Sequence, residues 1–233
     1  MRAVLFDLDG TLLDIDIDAF IRRYFARLGP VVARVAGDGF SPEQAIDVVM
    51  RSTQAMMQPH PGKTNQVAFD EAFVRLTGAD LGLAYEEFTR FYDTVFPTLG
   101  KGLGPVAGAV EAVECSLALG LRVAIATNPI FPEVAIRQRM AWAGVSGLDI
   151  PLVTTFELMH ACKPSPDYFL ETASLLGVAP ADCLMVGDDP QLDLPASNVG
   201  MSTYAVGIDR PTDATYAGSL LDLPALLRRL AAR

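Results

Sequence analysis

The stretch "VLFDLDGTLLD", residues 4–14, places an apolar strand directly before a group of aspartates. Its first residues favour a buried β-strand, which we assign to residues 3–6. Asp7 and Asp9 follow on one side of the extended chain, and the glycine after them permits a turn. Taken alone, the stretch leaves two interpretations open. It is either a nucleophilic carboxylate followed by a proton donor, with Thr11 fixing the turn, or a strand that ends in solvated acids.

Three further polar stretches follow other predicted strands. They read "IATNP" at 125–129, "ACKPSPDYF" at 161–169 and "VGDDPQLD" at 186–193. Because open parallel sheets bind ligands at the carboxyl ends of their strands, we expect these stretches to meet at the end of the sheet that carries Asp7. This end, where the carboxyl ends of the strands lie, is called the sheet edge here. They offer neutral donors, a compact cation and two carboxylates suited to Mg²⁺, in that order: Thr127 and Asn128, then Lys163, then Asp188 and Asp193.

Each of these residues also has a simpler explanation. Thr127 and Asn128 can cap a helix, Lys163 can lie on the surface, and Asp188 can belong to a solvated turn. Their convergence on one sheet edge instead predicts a phosphate site with a divalent cation. The cation is needed because two unit charges 4 Å apart interact by about 4 kcal/mol at an effective dielectric of 20, so carboxylates alone would repel phosphate.

Five short apolar runs predict the strands of an α/β core. They are residues 3–6, 122–126, 151–155, 183–186 and 202–206. Beyond about residue 100 these runs alternate with segments of helical periodicity, as a parallel sheet requires.

Between the first two predicted strands the pattern is helical throughout. Apolar residues recur at helical spacing in four segments, and we interpret these stripes, Ile17, Met50 and Met57 included, as the interior of a helical bundle. We therefore expect a helical domain at residues 15–98, inserted into an α/β core made of residues 1–14 and 99–233. The turn-rich segment 97–105 is expected to lead back to the core.

Composition narrows the classes of partner. The chain has 28 acidic and 18 basic residues and a net charge of -10, which disfavours nucleic acid polymers and anionic membranes. It contains no apolar run of about 18 residues, and its first residues are too acidic for a signal peptide, so we expect a cytoplasmic protein. Its three cysteines lack the paired spacing of a disulfide framework or zinc site.

The motifs, in their order along the whole chain, resemble those of the haloacid dehalogenase superfamily of phosphohydrolases. The resemblance implies a Rossmann-like parallel-sheet core with a type 1 helical cap at residues 15–98. The four motifs of the superfamily are matched by "DLDGT" (Asp7, Asp9, Thr11), by Thr127 with Asn128, by Lys163, and by "GDDPQLD" (Asp188, Asp193). Pro129 is a departure, because proline lacks a backbone N–H that could help to hold phosphate.

The resemblance implies a Mg²⁺-dependent phosphatase acting on a small phosphorylated metabolite. In this hypothesis Asp7 attacks phosphorus and forms an aspartyl-phosphate, while Asp9 protonates the leaving oxygen and then activates water. The carboxylates of Asp7 and Asp188 and the backbone carbonyl of Asp9 would hold the metal, and Asp193 would orient its waters or Lys163. The phosphate oxygens would be bound by Thr11, Thr127, Asn128 and Lys163.

Two other functions stay open at this point. A phosphomutase would use the same aspartyl-phosphate, and a binding or regulatory protein would keep the site without turnover. Dehalogenation is disfavoured, because the dehalogenating members lack an acid at the position of Asp9. The cap is expected to select the substrate, with His60 and Lys63 in "PHPGKTN" as candidate contacts.

Overall fold

A six-stranded parallel sheet forms the centre of the molecule in the computed structural model, which describes residues 1–37, 39–207 and 213–232. In chain order the strands are β1 (Ala3–Phe6), β2 (Leu13–Asp14), β3 (Gly104–Pro105), β4 (Arg122–Ile125), β5 (Leu152–Val153), β6 (Cys183–Gly187), β7 (Ser202–Val206) and β8 (Tyr216–Gly218). The helices are α1 (Ile17–Ala36), α2 (Pro42–Met56), α3 (Asn65–Thr77), α4 (Leu81–Thr94), α5 (Ala109–Ala118), α6 (Glu133–Trp142), α7 (Pro166–Leu176) and α8 (Leu223–Ala231).

The sheet has the order β5-β4-β1-β6-β7-β8, which places β1 between β4 and β6. All four residues of β1 are fully buried. Val4 and Phe6 pack into one apolar cluster, whereas Ala3 and Leu5 pack into a second. Since successive side chains of a strand point to opposite faces, both faces of the sheet are covered, and this is why the strand reads as an unbroken apolar run.

Helices α1 to α4, residues 17–94, are called the helical insertion here. Polar residues begin each helix: the side chain of Asp16 accepts from the backbone N–H of Ala19, and Thr64 and Asp80 do the same for α3 and α4. Ser41 and Gln44 form a capping box at α2. The chain enters and leaves the insertion through β2 and β3, which pair antiparallel and so hold the two connections side by side.

The predicted α/β class is confirmed by this architecture, with corrections to its strands. The predicted strand 122–126 ends at Ile125, the predicted strand 183–186 extends to Gly187, and the short pair β2 and β3 was not predicted. β5 is shorter than the predicted 151–155, although the backbone N–H of Thr154 still bonds the carbonyl of Ile125 at 3.0 Å. β8 was not predicted, because its three residues, Tyr-Ala-Gly, carry no apolar run. The division into domains at 1–14, 15–98 and 99–233 stays a prediction, and its residues 38, 208–212 and 233 lie outside the described part of the chain.

The expectation that the whole apolar stripe faces the bundle interior is wrong at three positions. Ile17, Met50 and Met57 are exposed by 44%, 55% and 43%. Ile17 is the first residue of α1 and Met57 follows the last residue of α2, so neither has a full turn of neighbours to cover it. Met50 adjoins buried Val49, and the helical rotation of about 100° per residue turns its side chain outward. Among the described residues no helix combines the length and apolarity that crossing a membrane requires.

Candidate active site

Three strand ends bring the predicted motifs together. Phe6, the last residue of β1, pairs with Ile125 of β4 on one side and with Val186 of β6 on the other. The hydrogen bonds continue one step further, from the N–H of Asp7 to the carbonyl of Val186 at 2.9 Å and from the N–H of Ala126 to the carbonyl of Phe6 at 2.7 Å. The residues that follow these strands therefore share one edge of the sheet, as expected from their positions in the sequence.

Lys163 links two of the aspartates at this edge. Its side chain is 1% exposed, and its Nζ donates to Asp7 Oδ1 at 2.7 Å and to Asp193 Oδ1 at 2.6 Å. The other oxygen of Asp193 accepts from the backbone N–H of Asp189 at 3.1 Å. With both oxygens engaged, Asp193 is held in place and in turn fixes the ammonium group beside Asp7.

The turn after β1 brings Asp188 against the first motif. Thr11 Oγ1 donates to Asp188 Oδ1 at 2.7 Å. Gly10 has a φ of +84°, and a Cβ atom there would overlap the Asp188 carboxylate. A Cβ at Gly187 would overlap the carboxylate of Asp193. Glycine at these two positions therefore lets backbone and carboxylates approach closely.

Three carboxylates form an acidic cluster at the edge. Asp7, Asp188 and Asp193 each offer an oxygen, and these oxygens lie within 4.8 Å of one another. The pKa of Asp7 is raised to about 8, mainly by burial and further by the negative charge of Asp193, although the ammonium group of Lys163 lowers it. Burial also raises the pKa of Asp188, while the hydrogen bond from Thr11 lowers it. Full ionisation of the three carboxyl groups therefore requires more positive charge than Lys163 alone supplies.

Asp9 turns to a different partner, Arg139 of α6. Arg139 Nη1 donates to Asp9 Oδ2, and the arginine is 1% exposed. The Arg139 guanidinium also lies 4.4 Å from the centroid of the Phe131 ring. Asp9 Oδ1 and the Nε and Nη2 atoms of Arg139 are buried and have no hydrogen-bond partner among the described residues. Burial raises the pKa of Asp9, while Arg139 and then Lys163 lower it.

The second motif is held by its backbone and by the amide of Asn128. The carbonyl of Thr127 accepts from the hydroxyls of Tyr168 at 2.9 Å and Thr154 at 2.8 Å. Asn128 Oδ1 accepts from the backbone N–H of Lys163 at 3.1 Å, which joins the second motif to the third. These contacts fix the loop on which the two polar side chains stand.

The sequence interpretation missed Asn65, which ties the helical insertion to this loop. Asn65 is fully buried at the start of α3, and its Nδ2 donates to the carbonyls of Pro129 at 3.1 Å and Ala161 at 3.3 Å. His60 Nε2 lies 2.9 Å from Asn65 Oδ1, so this candidate substrate contact supports the same junction. Lys63, the other candidate, pairs with exposed Glu71 at 2.6 Å.

Arg139 was missed as well, although the sequence carries a signal for it. The buried face of α6 contains Ala135, Ile136 and Met140, and Arg139 stands within that apolar stripe. A cation at a buried helical position requires an anionic partner. Nothing in the local sequence indicates that the partner is Asp9, 130 residues away.

Comparison with known proteins places these motifs in a family. The family model described as haloacid dehalogenase-like hydrolase matches residues 1–198. A phosphoglycolate phosphatase of Xylella fastidiosa (strain Temecula1) is 31% identical, with 98% of this chain and 92% of that protein covered. Hexitol phosphatase A of Escherichia coli is 28% identical, with 91% of this chain and 85% of that protein covered.

Solved structures agree with the fold. A HAD phosphatase from Thermococcus onnurineus matches with a TM-score of 0.60 at 24% identity, over 97% of this chain and 98% of that chain. The L-2-haloacid dehalogenase from Xanthobacter autotrophicus, with chloropropionic acid covalently bound, matches with a TM-score of 0.57 at 19% identity, over 98% of each chain. The comparisons confirm the predicted superfamily and the predicted enzyme class, a phosphoric monoester hydrolase. The chain belongs to the haloacid dehalogenase-like hydrolase family.

Proposed function

We propose that this protein is a divalent-cation-dependent phosphatase that hydrolyses a small phosphorylated metabolite through an aspartyl-phosphate on Asp7. The observation that carries the proposal is the contact of Asp7 with the buried ammonium of Lys163, at the edge where three motif-bearing loops meet. A carboxylate held beside a fixed cation can attack a phosphoryl group whose charge that cation also stabilises. The phosphoglycolate and hexitol phosphatases among its relatives support a small phosphomonoester as substrate.

The donor set fits a magnesium ion. Mg²⁺ binds through one or two carboxylates together with waters and phosphate oxygens, and Asp7 and Asp188 present oxygens close together. We assign the metal to these two side chains and to the backbone carbonyl of Asp9. Asp193, whose oxygens are occupied by Lys163 and Asp189, serves to orient Lys163. When bound, the cation would neutralise charge between the carboxylates and the phosphate oxygens.

Asp9 supplies the proton in this proposal. Burial of its carboxyl group raises its pKa, which favours the protonated form that a general acid needs. Its contact with Arg139 favours the ionised form, so turnover requires that Asp9 leave Arg139 and turn toward the ester oxygen. Asp9 Oδ1 has no hydrogen-bond partner among the described residues, so that turn breaks no hydrogen bond of this oxygen within the described part of the chain.

Three of the remaining motif residues bind the phosphoryl oxygens in this proposal, whereas Thr11, which the sequence predicted to join them, is fully buried and donates to Asp188 instead. Lys163 provides charge, and Thr127 and Asn128 provide neutral donors on a loop anchored by Tyr168 and Thr154. Thr11 holds Asp188 and so fixes the turn that carries the first motif. The helical insertion acts as a cap over this edge, joined to the loop through Asn65.

The direct test is phosphate release from a panel of phosphomonoesters, with Mg²⁺ and with EDTA. We expect release with Mg²⁺ and its loss on chelation, restored by added Mg²⁺. A phosphomutase would instead return the phosphoryl group to the substrate and yield an isomer with little free phosphate. Silence across the panel would contradict the proposal and favour a binding protein. Chloride release from 2-haloacids would revive dehalogenation, although the acid at Asp9 argues against it.

A further inference from the structure

A cavity of about 320 Å³ lies between the helical insertion and the core. All four helices of the insertion contribute to its wall, and the core contributes the segments around Phe131 and Phe156. Its volume lies within the range of small-molecule sites, about 300 to 1,000 Å³. It is therefore large enough to take an organic group.

The wall of this cavity is mostly apolar. Of its 19 lining residues, 12 have hydrocarbon side chains, and none of the described lining residues carries a positive charge. The two charged residues are both acids, Asp93 and Glu157. A carboxylate or a second phosphate on a ligand would meet repulsion there and no cation.

The tyrosine hydroxyls in the wall already have partners. Tyr24 and Tyr92 bond each other through their hydroxyls at 2.8 Å. The hydroxyl of Tyr85 donates to Asp70 at 2.8 Å and accepts from Gln66 Nε2 at 2.8 Å. A polyol placed in the cavity would find polar partners only at Thr53, Thr89, Asp93 and Glu157 among the described lining residues, and along the rest of the wall it would lose its bonds to water. The cavity therefore favours an apolar group over a sugar or a hexitol.

The cavity adjoins the proposed catalytic residues. Its floor includes Ile130 and Phe131, which follow the second motif directly, and the N–H of Ile130 bonds the carbonyl of Asn128 at 2.8 Å. Phe131 lines the cavity, and its ring centroid lies 4.4 Å from the guanidinium of Arg139, which in turn holds Asp9. The cavity is therefore connected, through the contacts of Phe131 and Arg139, to the residue proposed to protonate the leaving group.

We infer that the cavity receives the apolar part of the substrate, so that the preferred substrate is the phosphate ester of an alkyl or aryl-alkyl alcohol. This inference rests on the proposed phosphatase function and names its substrate class. It also separates this chain from the phosphoglycolate and hexitol phosphatases that it resembles, because glycolate is anionic and hexitols are polyols.

The test uses n-alkyl phosphates from ethyl to hexyl, alongside phosphoglycolate and a hexitol phosphate. The alcohols of the alkyl series have nearly equal acidity, so differences in rate report binding of the chain and not the quality of the leaving group. We expect kcat/KM to rise about threefold to fourfold with each methylene, and about a hundredfold from ethyl to hexyl. Phosphoglycolate and the hexitol phosphate should be poorer substrates than hexyl phosphate.

A matched pair of variants examines the charge of the wall. Asp93→Lys places a cation at the cavity, whereas Glu86→Lys makes the same change of charge on the same helix at an exposed residue that does not line it. We expect Asp93→Lys to shift the ratio of kcat/KM by about threefold from hexyl phosphate toward phosphoglycolate, and Glu86→Lys to leave that ratio unchanged.

Binding of n-alkylphosphonates, measured by calorimetry, separates failure of the inference from failure of the function. Hydrolysis that does not improve with chain length, or that favours phosphoglycolate, would overturn the apolar substrate and leave the phosphatase standing. Chain-length-dependent binding of the phosphonates without hydrolysis of any ester would overturn the phosphatase and keep the apolar site. If the protein neither binds the phosphonates nor hydrolyses any ester, both the apolar site and the phosphatase function are overturned.

Discussion

The sheet edge and the cavity beneath the helical insertion differ in how their shapes are fixed. At the edge, Lys163 reaches two carboxylates at 2.6–2.7 Å, and two glycines leave no space for a Cβ atom. The cavity is bounded mostly by apolar side chains, which restrict volume and not direction. Because hydrogen bonds depend on direction and apolar contacts do not, the edge suits a reaction performed in one geometry, while the cavity suits a choice among substrates.

The largest expected effect tests the edge itself. Asp7→Asn removes the proposed nucleophile and keeps the side-chain volume, so kcat should fall by at least about 10⁴-fold. Phosphate release under Mg²⁺ measures the change, and circular dichroism checks that the fold is intact. Asp14→Asn is the control, since Asp14 is an exposed acid in the same stretch of sequence. Near wild-type turnover of Asp7→Asn would remove this aspartate from the mechanism.

Arg139 connects the two regions, because it contacts Asp9 on one side and the cavity residue Phe131 on the other. Arg139→Leu leaves the Asp9 carboxyl group buried without its cation, which we expect to lower the free energy of unfolding by about 3 kcal/mol. Turnover should also fall, as Asp9 loses the group that positions it. Urea unfolding and phosphate release measure the two effects.

Two further variants decide whether the loss comes from the ion pair. Arg137→Leu alters an exposed arginine on the same helix, paired with exposed Glu133, and should cost at most about 1 kcal/mol. In the double variant Asp9→Asn/Arg139→Leu no charge is left unpaired, so its loss should be smaller than the sum of the single losses. Strict additivity would show that the pair contributes no coupling energy.

The edge could be predicted from the sequence because each of its motifs directly follows an apolar run. Once β1, β4 and β6 are recognised as parallel strands, their carboxyl ends must meet, and Asp7, Thr127 and Asp188 come with them. The cavity could not be predicted in this way. Apolar stripes on α1 to α4 are equally consistent with a filled interior, since they specify which faces meet and not how far apart the helices stand.

Arg139 and Asn65 show a second limit. Their partners lie far away in the sequence, Asp9 130 residues from Arg139 and Pro129 64 residues from Asn65. Local periodicity reveals that such a polar side chain is buried, as it does for Arg139, but the partner emerges only from the packing of the helical insertion and α6 on the core.

A smaller effect is expected at the junction between insertion and edge. Asn65→Ala leaves the carbonyl of Pro129 without this donor, which should cost about 1–2 kcal/mol of unfolding free energy. It should also reduce kcat/KM several-fold, because Pro129 adjoins Asn128, which we propose binds phosphate. Asn198→Ala, at an exposed asparagine, is the control for urea unfolding and kinetics. An unchanged kcat/KM in Asn65→Ala would confine its role to stability.

The smallest expected effect is a pH dependence that belongs to the edge alone. In the metal-free protein, burial and neighbouring charges raise the pKa of Asp7 from 3.8 to about 8. A group whose pKa is raised by folding contributes stability below its unfolded pKa and loses that contribution as pH rises through its folded pKa. The Tm without metal should therefore fall by about 1–3 °C between pH 7.5 and pH 8.5. Added Mg²⁺ should restore most of the loss at pH 8.5, because it favours the ionised carboxylate.

Asp7→Asn should remove both the dependence of Tm on pH and its response to Mg²⁺, whereas Asp14→Asn should keep them. If Tm falls with pH equally in Asp7→Asn, the titrating group is not Asp7. The charge of Asp7 would then no longer be a reason to expect a cation at this edge.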